Sequence, residues 1–104
     1  MPTGILGRSS PNQQVNTIVY TVPASKLATF TVNIVNRDST ESASVRLAIS
    51  STNTPANSEW IEYNTTLLPN CVLERTGLVA QAGENVVIYS STSLLSISVY
   101  GYEE

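Results

Sequence analysis

Beyond its first sixteen residues, the chain alternates between apolar and polar side chains with a period close to two. This period places alternate side chains on opposite faces of a β-strand. Residues 27–35 show the pattern most clearly, because Val32 and Ile34 share one face while Thr31 and Asn33 share the other. We therefore predict that the first pair lies in a core and that the second faces solvent or a partner.

Turn-forming residues separate the alternating segments. Segments 23–26, 36–42, 51–58 and 82–85 are rich in residues such as Pro, Gly, Asn and Ser, which favour turns and loops. No segment repeats its apolar residues with the 3.6-residue period of a helix. We predict seven or eight short strands, and those with clear limits are residues 17–22, 27–35, 44–50, 59–64, 71–78, 86–89 and 94–102.

Short strands with closely spaced turns are typical of antiparallel all-β proteins. A chain of 104 residues has the size of one domain, so we predict a single β-sandwich over residues 17–104. Jelly-roll and immunoglobulin-like topologies both fit, because periodicity alone does not give the order of strands in a sheet.

The N-terminal segment 1–16 differs from the rest, since it contains two Pro and two Gly and lacks a clear period. We predict that it is an extended arm that fastens the chain to a neighbour. Ile5 and Leu6 are its expected apolar anchors, and Arg8 is expected to fix its register through a carboxylate or carbonyl oxygen. Deletion of residues 1–10 is then expected to leave the sandwich folded and to weaken assembly.

The composition restricts the possible partners. The net charge is −3, and the five basic residues are scattered along the chain. Nucleic-acid binding needs clustered cations, so we expect no direct DNA or RNA partner. No apolar run approaches the ~20 residues that span a bilayer, and the N-terminus lacks the charged and apolar regions of a signal peptide. We therefore expect neither membrane insertion nor an export signal.

Candidate catalytic chemistry is sparse. The chain has no His, and Cys71 is its only Cys, which excludes an intrachain disulfide and removes most zinc sites and His-dependent nucleophiles. Paired carboxylates remain, and Glu59 with Glu62 or Glu74 with Glu84 are the possible acid–base couples. Residues three apart on a strand point to opposite faces, which separates the first couple. We predict no catalytic residue, no metal and no cofactor.

Aromatic residues near the strands are candidate interface residues. Trp60 and Tyr63, with Tyr89, Tyr100 and Tyr102, can form a platform for a sugar or a partner protein. The alternative is that they pack within the sheets, which is the more common role of strand aromatics.

The chain from Thr17 to its C-terminus resembles a group of small virion proteins of tailed bacteriophages, common in phages of cyanobacteria. The order and spacing of four pieces carry the resemblance: LGRS before IVYTVPASK, VNIVNRDS leading to VRLAIS, EWIEYNTTLLPNCVLERTGLVAQAGENVVIYSS, and the ending SISVYGYEE.

The resemblance implies a non-enzymatic structural component of the particle, built as a β-sandwich and assembled in several copies. It transfers no functional residue. We expect a capsid decoration (cement) protein, a trimer that binds the major capsid protein outside the head lattice and is assembled in the host cytoplasm. The alternative is a tail, collar, baseplate or fibre module that attaches to other tail proteins or to a host-surface glycan. A small enzyme that uses the carboxylates is a third possibility.

Overall fold

The computed structural model describes residues 3–104, which form eight strands in two four-stranded antiparallel sheets. The all-β antiparallel sandwich predicted from the alternation is confirmed. A three-residue 3₁₀ helix, Asn57–Glu59, precedes the fifth strand, and it is too short to cross a membrane. The strands are β1 (Thr3–Ser9), β2 (Thr17–Thr21), β3 (Leu27–Asn36), β4 (Ala43–Ser50), β5 (Trp60–Leu67), β6 (Val72–Gln81), β7 (Asn85–Ser90) and β8 (Leu95–Glu103).

The order of the strands distinguishes the two topologies that the sequence left open. One sheet has the order β1-β8-β3-β6, and the other has the order β2-β7-β4-β5. The first strand thus pairs with the last, the second with the seventh, the third with the sixth and the fourth with the fifth. These nested pairs belong to the eight-stranded jelly roll and not to the immunoglobulin fold.

The core lies between the two sheets and is built from alternate residues of each strand. In β3 the even-numbered residues are buried and the odd-numbered ones are not, as the period of two predicted. Tyr20 and Phe30 meet edge to face in this core, with ring centroids 6.2 Å apart. Its fully buried larger members come from both sheets and are Ile34, Leu47, Ile88, Leu95, Ile97, Val22, Val32, Val45, Val86 and Val99.

The N-terminal segment is part of the sandwich, which differs from the predicted arm. Residues 3–9 form edge strand β1, which pairs with β8, and residues 1–2 of the expected arm lie outside the described residues. Leu6 packs against the core, whereas Ile5 is 50% exposed and Arg8 is exposed. Deletion of residues 1–10 therefore removes a sheet strand, and we now expect it to destabilise the sandwich.

Two features of β1 interrupt the alternation of apolar and polar residues by which the other strands were predicted. A register shift between Ile5 and Gly7 interrupts the period of two. In addition, a Cβ at Gly7 would lie 2.4 Å from the carbonyl oxygen of Val19, so the close approach of β2 requires a residue without a side chain. A glycine and a bulge in the same short strand gave the appearance of an irregular tail.

A buried amide joins the loops at one end of the sandwich. The Asn36 side chain is fully buried, and its Nδ2 donates to the carbonyl oxygens of Glu41 and Leu67 at 3.0 and 3.1 Å. Its Oδ1 accepts a hydrogen bond from the backbone N–H of Asp38 at 3.1 Å. Asn36 therefore connects the end of β3 to the β3–β4 loop and to β5 in the opposite sheet.

Candidate functional site

An aromatic pair lines an open cavity at the edge of the sheet β2-β7-β4-β5. The rings of Trp60 and Tyr63 meet edge to face, with centroids 5.5 Å apart and planes inclined at 68°. Together with Asn57 they line a cavity of about 400 Å³. Tyr63 is 55% exposed, although an aromatic side chain buries a large apolar area when it packs in a core. The pair predicted as interface residues therefore lies side by side at the surface.

Arg46 extends this pair into a row of four side chains. Its Cζ atom lies 4.4 Å from the centroid of Tyr63 and 4.4 Å from the centroid of Tyr89, so both rings make cation–π contacts with the guanidinium. Its Nε donates a hydrogen bond to Asn64 Oδ1 at 2.7 Å. We call Trp60, Tyr63, Arg46 and Tyr89 the aromatic row.

The irregular pairing of β4 with β5 places the aromatic row. Arg46 lies directly opposite Tyr89 of β7. On its other side the β4–β5 register shifts between Val45 and Leu47, so that Tyr63 and Asn64 together oppose Arg46. Asn64 has a φ of +52°, a conformation that Asn tolerates better than most residues. This β-bulge directs both the Tyr63 ring and the Asn64 amide toward one guanidinium.

The β4–β5 loop, residues 51–58, forms one wall of the cavity and crosses the outer face of the sheet. The Asn53 carbonyl oxygen accepts a hydrogen bond from Asn16 Nδ2 at 2.9 Å, just before β2, so the loop reaches past β7. Ala48 and Val87 are fully buried although they lie outside the core cluster between the sheets. The outer face is therefore covered at these two residues.

Glu59 holds the loop in place. Its Oε1 accepts hydrogen bonds from Ser50 Oγ at 2.9 Å and from the backbone N–H of Ala56 at 2.7 Å. One carboxylate thus joins the end of β4 to the start of the 3₁₀ helix that carries Asn57. Charge-assisted hydrogen bonds of this kind are stronger than neutral ones, so Glu59 fixes the position of the cavity wall.

Replacement of this carboxylate tests whether it orders the cavity. We expect Glu59→Ala to lower the free energy of unfolding by about 1–3 kcal/mol, because two donors lose their acceptor. Amide hydrogen exchange should increase in residues 51–58. Glu84→Ala is the matched control, since Glu84 accepts from the Gln81 backbone N–H at 3.0 Å in a different turn. Equal exchange in the loop for both variants would contradict the assigned role.

No protein-family model, curated protein or solved structure matches this chain. We therefore infer the function from the geometry and chemistry of the row and of the surfaces around it.

The structure separates the other predicted aromatics from the aromatic row. Tyr100 and Tyr102 lie on β8, in the opposite sheet, and do not join Trp60 and Tyr63 in one platform. The Tyr100 hydroxyl donates to Glu74 Oε2 at 2.7 Å, and this hydrogen bond raises the pKa of Tyr100 above its usual value. The five predicted aromatics thus form two separate surfaces, with Trp60, Tyr63 and Tyr89 on one sheet and Tyr100 and Tyr102 on the other.

The four carboxylates considered for acid–base chemistry each have a partner. Glu74 and Glu84 accept the hydrogen bonds from Tyr100 and Gln81, and Glu59 holds the loop. Glu62 pairs with Arg75 and accepts from Thr65 Oγ1 at 2.7 Å, which links β5 to β6 across the edge of the sandwich. Within residues 3–104, no three His, Cys, Asp or Glu side chains form a group that could hold a metal ion.

Sequence reasoning missed the cation at the centre of the row. Alternation in β4 placed Arg46 outward, which is correct, but the register that puts it between two tyrosines depends on a bulge. The only sequence signal for that bulge was the pair Tyr63-Asn64, because Asn favours positive φ. Asn57 was likewise assigned to a loop without a role.

Proposed function

We propose that this chain is a non-enzymatic structural protein of a bacteriophage particle, and that it decorates the head by binding the major capsid protein. The aromatic row carries the proposal. Trp, Tyr and Arg are the residues enriched at the energetic centre of protein interfaces, and here they are adjacent, preorganised and partly exposed. The jelly roll is also a fold used by viral capsid proteins, which supports the proposal by analogy.

A second surface supports assembly in several copies, for which we propose a trimer. The sheet β1-β8-β3-β6 carries five large apolar side chains that are at least 38% exposed. Between them lie hydroxyl and amide side chains on β3 and β8, which cost less to desolvate than charges. The exposed apolar residues are Ile5, Leu27, Val72, Val79 and Tyr102.

The proposal predicts a high copy number on the particle. The full chain should bind heads purified without it and appear in a cryo-EM map at on the order of hundreds of symmetric positions, because a capsid lattice repeats one interface. Arg46→Ala should reduce occupancy by more than tenfold, whereas Lys26→Ala, in an exposed turn, should leave it unchanged. A dozen copies or fewer, confined to the tail, would overturn the decoration role.

A tail, collar, baseplate or fibre module that recognises a host-surface glycan is the second candidate. The cavity lined by Asn57, Trp60 and Tyr63 favours this role. Aromatic rings pack against the apolar faces of sugars, and a side-chain amide forms hydrogen bonds with sugar hydroxyls. Immunogold labelling of the tail and binding to a glycan array that Trp60→Ala abolishes would support this role. Labelling of the head with an empty array would exclude it.

A further inference from the structure

We propose that the aromatic row binds an acidic oligosaccharide, with one sugar ring in the cavity and the carboxylate of a neighbouring sugar on Arg46. This inference rests on the second candidate function, glycan binding, which is the alternative to head decoration through the same row, and it specifies the ligand class. It follows from the absence of a carboxylate partner for Arg46 within the described residues, from the position of Tyr63 and from the net charge of the chain.

Arg46 carries a charge that no carboxylate of the described chain neutralises. The one ion pair within residues 3–104 joins Arg75 to Glu62, and the Glu59 carboxylate accepts hydrogen bonds from Ser50 and Ala56. Two tyrosine rings contact the Arg46 guanidinium, each with its centroid 4.4 Å from Cζ, and its Nε donates to Asn64 Oδ1. The two Nη groups are the remaining donors, and they have the spacing that binds a carboxylate through two parallel hydrogen bonds.

The surrounding residues fix this donor pair before any ligand arrives. Arginine side chains ordinarily lose rotamer freedom when they bind, which costs affinity. Here two rings and the Asn64 amide already restrict the guanidinium. A preorganised cation of this kind recognises an anion at a lower entropic cost than a free surface arginine does.

Tyr63 connects the cavity to Arg46. Tyr63 lines the cavity together with Trp60 and Asn57, whereas Arg46 lies against the Tyr63 ring and does not line the cavity. A ligand that contacts both must pass over the exposed Tyr63 side chain. One sugar ring in the cavity and the carboxylate of the next sugar at Arg46 satisfy this condition, so a disaccharide unit fits the row.

The charge of the whole chain favours isolated carboxylates over a dense polyanion. The net charge is −3, which repels nucleic acid and highly sulfated chains. A single arginine held beside aromatic rings can bind one carboxylate of a ligand whose other polar groups are hydroxyls. Uronic or sialic acid units within a neutral glycan have this chemistry.

Isothermal titration calorimetry with the full chain tests the proposal. The probes are carboxylate oligosaccharides with galacturonate, glucuronate or sialic acid units, each paired with its methyl ester, and an acidic hexapeptide. We expect at least one acid to bind, with a dissociation constant at least tenfold lower than that of its methyl ester. Arg46→Gln should remove the preference for the acid, while Arg8→Gln, on β1 in the other sheet, should retain it.

Trp60→Ala and Arg46→Lys complete the design. Trp60→Ala should weaken the binding of the acid and of its ester by the same factor. Arg46→Lys should retain less than a tenth of the wild-type affinity for the acid, because lysine keeps the charge and loses the paired donors. Circular dichroism confirms folding of each variant.

Equal binding of acid and ester would overturn the assigned role of Arg46 and leave the glycan function standing. Failure of every sugar to bind, or binding of the acidic peptide alone, would overturn both.

Discussion

Gly101→Ala should lower the free energy of unfolding by about 3–4 kcal/mol, a large part of the 5–15 kcal/mol typical of a domain. A Cβ at this position would lie 2.1 Å from the Thr29 carbonyl oxygen and 2.7 Å from the Phe30 Cα atom. Both obstacles are backbone atoms of the adjacent strand β3, which cannot turn aside as a side chain can. Gly101 also has a φ of +156°, which residues with a side chain rarely adopt.

Urea unfolding of the purified chain measures this effect. The matched control is Gly77→Ala in β6, because Gly77 has a φ of +69° and no atom within 4 Å of an added Cβ. Its loss should be about 1–2 kcal/mol, the cost of the backbone conformation alone. If the two variants lose the same stability, the close approach of β8 to β3 is not the reason for Gly101.

Tyr20→Phe should lower the free energy of unfolding by about 2–4 kcal/mol at neutral pH. The Tyr20 hydroxyl of β2 donates to the Glu103 carboxylate of β8, which joins the two sheets through the interior. Both side chains are buried, with 7% and 5% of their surface exposed. Removal of the hydroxyl leaves a buried carboxylate without this donor, which costs more than the loss of one surface hydrogen bond.

The same contact predicts a dependence of stability on alkaline pH. Burial, the hydrogen bond to Glu103 and the charge of Glu103 together raise the pKa of Tyr20 above its ordinary value of 10.0. Below pH 10 the folded and unfolded chains both keep the proton, so the stabilisation is fully present. Above that pH the unfolded chain releases the proton and the folded chain keeps it, so stability falls by up to about 1.4 kcal/mol per pH unit.

Denaturation curves between pH 7 and 11.5 compare the wild type with the variants. The free energy of unfolding of Tyr20→Phe should fall less steeply above pH 10 than that of the wild type, because the titrating hydroxyl is absent. Tyr100→Phe serves as the control, since its hydroxyl bonds Glu74 at the surface and its loss should cost far less. Parallel curves for the wild type and Tyr20→Phe would show that Tyr20 does not retain its proton in the folded chain.

The central strands followed from the sequence because they are buried on one face along their length. β3 alternates from Ala28 to Ile34 without interruption, and its core residues were predicted correctly. The strand β1 was missed because its one apolar contact with the core is made by Leu6, which is only partly buried. Backbone hydrogen bonds to β8 also hold β1 in place, and such bonds do not depend on the pattern of apolar and polar side chains.

The candidate site was predicted only in part, for a related reason. Trp60 and Tyr63 were recognised as aromatics on one segment, but Tyr100 was grouped with them although it lies on the other sheet. Sequence distance gives no measure of which strands become neighbours. Tyr89 was also among the predicted aromatics, but its contact with Arg46 depends on the pairing of β4 with β7, which joins these two residues although they lie more than forty positions apart in the chain.

The sequence by itself predicted an antiparallel sandwich, since a period of two and frequent turns are typical of short strands that bury one face in a shared core. Only the tertiary structure decided the jelly-roll order, the place of β1 and the clamping of Arg46. Each of these depends on which strand backbones meet and in what register. Register is set by bulges and close approaches, such as those at Asn64 and Gly101, that arise only when distant strands pair.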